Sequence, residues 1–74
     1  MDDMERISWI DRSGARSTAV VGAPVENHHG DGHVTYTPET VRSITRGADG
    51  YRVNLQGGRQ PFIWVPEKWV TRDE

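Results

Sequence analysis

The sequence predicts a single all-β domain, a small barrel of five or six short strands. Three observations carry this. Eight Val, four Ile and six Thr stand against one Leu and four Ala, and side chains branched at Cβ lose rotamer freedom in a helix but pack well on a pleated sheet. Short alternating apolar runs recur between Gly-, Asp- and Pro-containing turn signals. At 74 residues the chain is near the size at which one core only just offsets the entropy of ordering it. Closing the sheet on itself removes the exposed edges that so small a sheet would otherwise carry.

The elements follow in order. Ile7 and Trp9 alternate with Arg6 and Ser8, which predicts a strand from Glu5 to Asp11. "DRSG" supplies a turn, with Asp11 accepting from turn amides and Gly14 taking positive φ, and Ala15 to Val21 returns as the partner strand. "GAPVENHHGDG" is polar and rich in breakers, so Gly22 to Gly32 reads as one long loop. Val34 and Tyr36 share a face of a short strand in "HVTYT". "TPETVRSITRG" has two readings: Pro38 can begin a helical turn capped by Thr37, while Thr40, Val41, Ile44 and Thr45 favour a strand over 41–46. "GADG" then turns the chain into a strand from Tyr51 to Gln56, and Gly57-Gly58 reads as a two-residue hairpin turn into Gln60 to Val65. That pairing sets Val53 beside Phe62 and Tyr51 beside Trp64. Pro66 stops the strand, "PEKW" makes one turn, and Val70 and Thr71 form a last short strand.

The string "IWVPEKWV" resembles the closing strand, proline, single turn, aromatic and valine of Src homology 3 domains. "DGYRVNLQGGRQ" extends the resemblance, because Tyr51 lies fifteen residues before Pro66, the spacing at which many of those domains carry a ligand-binding tryptophan. The resemblance spans the last third of the chain. It implies a five-stranded barrel with Val65 and Val70 facing the core, and Tyr51, Pro66 and Trp69 lining an aromatic groove for an extended, proline-rich peptide. The chain departs from the family pattern at Trp69 in place of tyrosine, Lys68 in place of asparagine and Tyr51 in place of tryptophan. Its N-terminal half lacks both the Ala-Leu-Tyr-Asp-Tyr segment and the acidic loop.

Composition bounds the function. The formal net charge is −2 and there is no cysteine, so neither a disulfide framework nor a thiolate zinc site is expected, and a reducing, cytoplasmic setting fits. Acidic and basic residues interrupt the first apolar positions, which argues against a signal-peptide core and a membrane span. Arg42, Arg46, Arg52 and Arg59 face a single acid, Asp49, between residues 41 and 60, whereas Asp2, Asp3, Glu5, Asp73 and Glu74 make the ends acidic. Eight of nine basic residues are arginine, which suits bidentate contacts to phosphate or carboxylate and equally suits a GC-rich genome.

Catalytic chemistry is not expected. There is no cysteine nucleophile, Ser8, Ser13, Ser17 and Ser43 lie in strand or turn contexts, and "QGGR" lacks the Lys-Ser/Thr and helix of a P-loop. His28, His29, Asp31 and His33 are weak metal candidates: adjacent histidines point apart in an extended chain, and no distant ligand is evident, so a solvated loop is the plainer reading. No cofactor is implied.

The expectation is a non-enzymatic module that occupies a surface of another protein, as an adaptor or inhibitor and, on its arginine-rich composition, a phage-encoded one. Tyr51, Trp64, Pro66, Lys68 and Trp69 are the partner-binding candidates, with the segment Asn27 to His33 beside them. Of the three tryptophans, Trp69 is expected to be the exposed anchor. The alternative is a nucleic-acid-binding barrel using Arg42, Arg46, Arg52 and Arg59, with Tyr51 as a stacking platform. Homodimer formation through the aromatic patch stays open.

Overall fold

Asp11 sets the first reversal. In the computed structural model, which describes residues 4–71, its Oδ1 accepts the Ser13 and Ala15 amide protons at 2.9 and 3.1 Å, and Gly14 adopts φ 90°. Strand β1 (Arg6–Ile10) thereby folds back on β2 (Arg16–Val20), Trp9 opposite Ser17 and Ile7 opposite Ala19. Those four residues are buried, and their neighbours in sequence point outward.

The segment 22–32 is not one long loop. It contains strand β3 (Pro24–His28), antiparallel to β2, between a turn at Gly22 and a turn at Gly32, both with positive φ. The breakers bracket the strand rather than dissolve it: Pro24 occupies its first position, where a proline is tolerated. Alternation hid the strand because only Val25 is both apolar and fully buried. The inward Asn27 is satisfied instead by the Ser17 hydroxyl, which donates to its Oδ1 at 2.8 Å.

Strand β4 (Val34–Arg46) is one thirteen-residue strand, and Pro38 begins no helical turn. At Pro38 the ladder with β3 is broken, and the Thr37 hydroxyl fills the gap by accepting the Val25 amide at 3.0 Å and donating to the Glu39 carbonyl. A second irregularity lies between Val41 and Ser43, where Arg42 is the extra residue opposite β5 (Gly50–Gln56). This bulge lets Val41 and Ile44, three apart, both enter the core.

The last hairpin joins β5 to β6 (Phe62–Pro66) through a five-residue connection, 57–61, not a two-residue turn. The register is therefore one residue from the sequence expectation: Tyr51 faces Val65, Arg52 faces Trp64, Val53 faces Ile63 and Asn54 faces Phe62. One residue of slip exchanges the faces of a strand, so Phe62 and Trp64 point outward while Val65 is fully buried. Glu39 fixes the longer connection. Its Oε2 accepts the Arg59 and Gln60 amides at 3.0 Å each, and a side chain on Gly58 would collide with it.

A 3-10 turn at Glu67–Trp69 then carries the chain across to β1, as expected for "PEKW". There Val70 bridges Trp9 and the Thr71 amide donates to the Ser8 carbonyl at 2.9 Å, a single bridge rather than a full strand. Met4 bridges Ile44 near the other end of β1. The result is a six-stranded antiparallel sheet in the order β1-β2-β3-β4-β5-β6, curled into a nearly closed barrel. Six strands form where the resemblance implied five. The interior is filled by Ile7, Trp9, Ala19, Val25, Val41, Ile44, Tyr51, Val53, Leu55 and Val65. Among the described residues no helix is long and apolar enough to cross a membrane. The acidic residues Asp2, Asp3, Asp73 and Glu74 lie outside the described residues.

Candidate binding surface

Two cross-strand rungs on the outside of β4, β5 and β6 bring together the exposed aromatic side chains of the last hairpin. Thr45, Arg52 and Trp64 form one rung, and Ser43, Asn54 and Phe62 the next. Asn54 donates to the Ser43 hydroxyl at 3.0 Å, which pins the second rung. Trp64 is 42% exposed, and its six-membered ring rests on Gly47, where a Cβ would lie 2.9 Å from Cη2. Gly47 thus provides the seat that holds the indole over the β4–β5 turn. The Arg52 guanidinium lies 4.5 Å from the centroid of the Phe62 ring, close enough for a cation–π contact. The strip combines two large apolar faces with one cation whose own stem covers apolar surface.

The sequence candidates divide. Trp64 and Lys68 are exposed, Pro66 and Trp69 are half-buried, and Tyr51 is only 7% exposed. Tyr51 belongs to the core, so it can neither line a peptide groove nor serve as a stacking platform. Trp69 packs against the core beside Val70, so the exposed tryptophan is Trp64 and not, as expected, Trp69. The register is the cause, because pairing Tyr51 with Trp64 would have put both rings on one face. Val65 and Val70 do meet the core, as expected. Phe62, expected beside Val53, is instead opposite Asn54 and exposed, and the signal for this is the length of the preceding connection.

The four arginines do not form one stripe. Arg46 is opposite Tyr51 and covers its ring at 5.9 Å, whereas Arg52 is opposite Thr45, so strand alternation sends them to opposite faces. Arg42, at the bulge, borders a pocket of about 240 Å³ together with Met4, Glu5, Val21, Ser43 and Ile44. Arg59 is exposed on the 57–61 connection.

The histidines satisfy one another locally. His29 and His33 stack with centroids 4.5 Å apart, His29 Nε2 is 2.9 Å from the Thr35 hydroxyl, and Asp31 accepts from the His33 amide and ring. Those contacts, the His33 amide foremost, hold the Asp31 carboxyl below the ordinary range. His28 lies on the outside of β3 beside Glu26 at 3.4 Å. No three His, Cys, Asp or Glu side chains among the described residues converge on a point that can hold an ion.

A second mixed surface covers the outside of β1 to β4, where Ser8, Thr18, Glu26 and Tyr36 form one rung and Ile10, Arg16, His28 and Val34 the next. Tyr36 is 61% exposed there and shares its face with Val34, as the sequence indicated. Comparison of the chain with protein-family models, curated proteins and solved structures finds no match.

Proposed function

We propose that this chain is a non-enzymatic binding module, a Src homology 3-like barrel acting as an adaptor or inhibitor by occupying a surface of another protein. The observation behind the reading is the outward strip of Trp64, Phe62 and Arg52 on the last hairpin. Tryptophan and arginine are the residue types most enriched among the side chains that dominate protein interfaces. A core this small leaves little room for a buried active site, so its exposed surface carries the function. The cysteine-free chain suits a cytoplasmic partner. A nucleic acid is the weaker fit: Arg46 and Arg52 face opposite ways and the chain is acidic overall.

The test is affinity capture from the cells in which the protein acts, at moderate salt, comparing wild type with Trp64→Ala and Trp69→Phe. Trp64→Ala is expected to weaken retention of the specific partner by roughly 30-fold, the effect of losing about 2 kcal/mol at an interface anchor. Trp69→Phe is expected to retain it. Amide NMR titration with short DNA and RNA supplies the opposing arm. Salt-sensitive shifts at Arg42, Arg46, Arg52 and Arg59 would replace the protein reading with the nucleic-acid one.

A further inference from the structure

The main chain of β6 has one open side. The Leu55 amide donates to the Pro61 carbonyl at 2.9 Å and the Glu67 amide to the Asp49 carbonyl at 3.0 Å. Both bonds join residues directly opposite in the β5–β6 register, so the hydrogen-bonded pairs of this antiparallel ladder include Val53 with Ile63 and Tyr51 with Val65. Alternation then turns the N–H and C=O groups of Phe62 and Trp64, and the carbonyl of Pro66, away from β5. Among the described residues no turn, loop or cap hydrogen bond reaches the main chain of Phe62 or Trp64. Among the described residues the chain beyond Pro66 turns to β1, where Val70 bridges Trp9 and the Thr71 amide donates to the Ser8 carbonyl.

Edge strands that stay single are usually guarded by a charge, a bulge or a covering segment. β6 reads FIWVP, with no charge, and its pairing with β5 has no register shift. Its only limits are Pro61 just before it and Pro66 at its end, which confine the open edge to a few residues. The strand is also complementary to itself. Turned antiparallel about Trp64, it sets Trp64 against Trp64, Ile63 against Val65, and Phe62 against Pro66, so rings meet rings and no like charges oppose one another. The two Trp64 residues exchange both bonds, and each Phe62 N–H meets a Pro66 carbonyl, while the Phe62 carbonyl, whose donor in that pair would be the N–H that proline lacks, stays with solvent at the end of the ladder.

We propose that β6 is a self-pairing edge, and that its occupant is β6 of a second copy in a two-fold antiparallel dimer centred on Trp64. The hydrogen bonds of this contact are made by the main chain of β6, and the same pairing brings the Trp64 and Phe62 side chains of the outward strip beside those of the second copy. It joins the two strips side by side into one surface with an Arg52 at each end. An edge of five residues buries less than a standard interface, so the dimer is weak, with a dissociation constant on the order of 100 μM.

Residue-resolved amide exchange measured from about 10 μM to about 1 mM brackets that constant. The Ile63 and Val65 amides are expected to be protected throughout, which reports an intact barrel. The Phe62 and Trp64 amides are expected to gain protection only as concentration rises, up to roughly fivefold at the upper end. Trp64→Lys, which sets two ammonium groups together at the axis, is expected to abolish that gain while Ile63 and Val65 stay protected. Exchange at Phe62 and Trp64 that does not change with concentration would overturn the proposal, and so would concentration-dependent protection that survives in Trp64→Lys or appears only on another strand. The exchange experiment is read on the purified chain with no partner present, so its failure and the failure of the protein-partner reading are distinguishable.

Discussion

Glu39 is drawn almost wholly below the surface, 3% exposed, yet it stays a carboxylate because two amides of the 57–61 connection point at Oε2. Hydrogen bonds to the charged form, from Gln60 first, outweigh burial and hold its pKa below the ordinary value. Asp11 is lowered in the same sense, chiefly by the Ser13 hydroxyl. A folded-state pKa below the unfolded one means that stability is fully present above the unfolded value, near 4.3 for Glu, and is lost as pH falls through the folded one. The melting temperature is therefore expected to drop below about pH 4.5. Glu39→Gln should flatten part of that fall, and Glu39→Ala should lower the melting temperature already at pH 7 by leaving both amides without their acceptor. A pH profile of Glu39→Gln parallel to wild type would show that the carboxylate does not hold the connection. Nothing in "TPETV" marks this residue, since its partners lie twenty and twenty-one positions later. Asp11, by contrast, was legible because its partners lie within four residues.

At the scale of elements, the same locality separates what the sequence revealed from what it hid. β1 and β5 are read correctly because their apolar alternation is complete, and β2 because the Asp11 to Gly14 turn returns the chain onto β1. β3 is missed because its inward positions hold one valine and one hydrogen-bonded asparagine. The last hairpin is found but set one residue out: Gly57-Gly58 is a strong signal for a two-residue turn, and the Glu39 contact that lengthens the connection is invisible locally. That single residue decides which tryptophan is exposed. Two glycines test the corrected register. At Gly50 a Cβ would overlap the Val65 carbonyl oxygen, main chain that cannot yield, whereas at Gly47 it would meet the tip of the Trp64 ring. Gly50→Ala is expected to lose the cooperative melt seen by far-UV circular dichroism. Gly47→Ala is expected to keep the melt within a few degrees, since surface substitutions fall within about 0.5 kcal/mol, while shifting Trp64 fluorescence. Equal melting of both variants would contradict this arrangement of the β4–β5 turn.

For the molecule as a whole, the barrel is stable only if its two ends meet, and Trp9 stands at that seam. It is buried on β1, pairs with Ser17 on one side and bridges Val70 on the other, while Trp69 and Val70 pack against the core from the returning chain. Replacing such a side chain with alanine removes apolar burial and leaves a cavity, at a cost of about 3–5 kcal/mol. Small domains have total stabilities near the low end of about 5–15 kcal/mol, so Trp9→Ala is expected to be largely unfolded in water at 25 °C. Trp64→Ala removes a ring that lies on the outer face of the sheet and leaves no cavity in the core, so it should cost only about 1 kcal/mol. Urea titration followed by far-UV circular dichroism distinguishes the two. A wild-type midpoint in Trp9→Ala would mean that the seam is not coupled to the core. A Trp64→Ala variant as damaged as Trp9→Ala would mean that the outward strip is structural, and would remove the basis for assigning it to a partner.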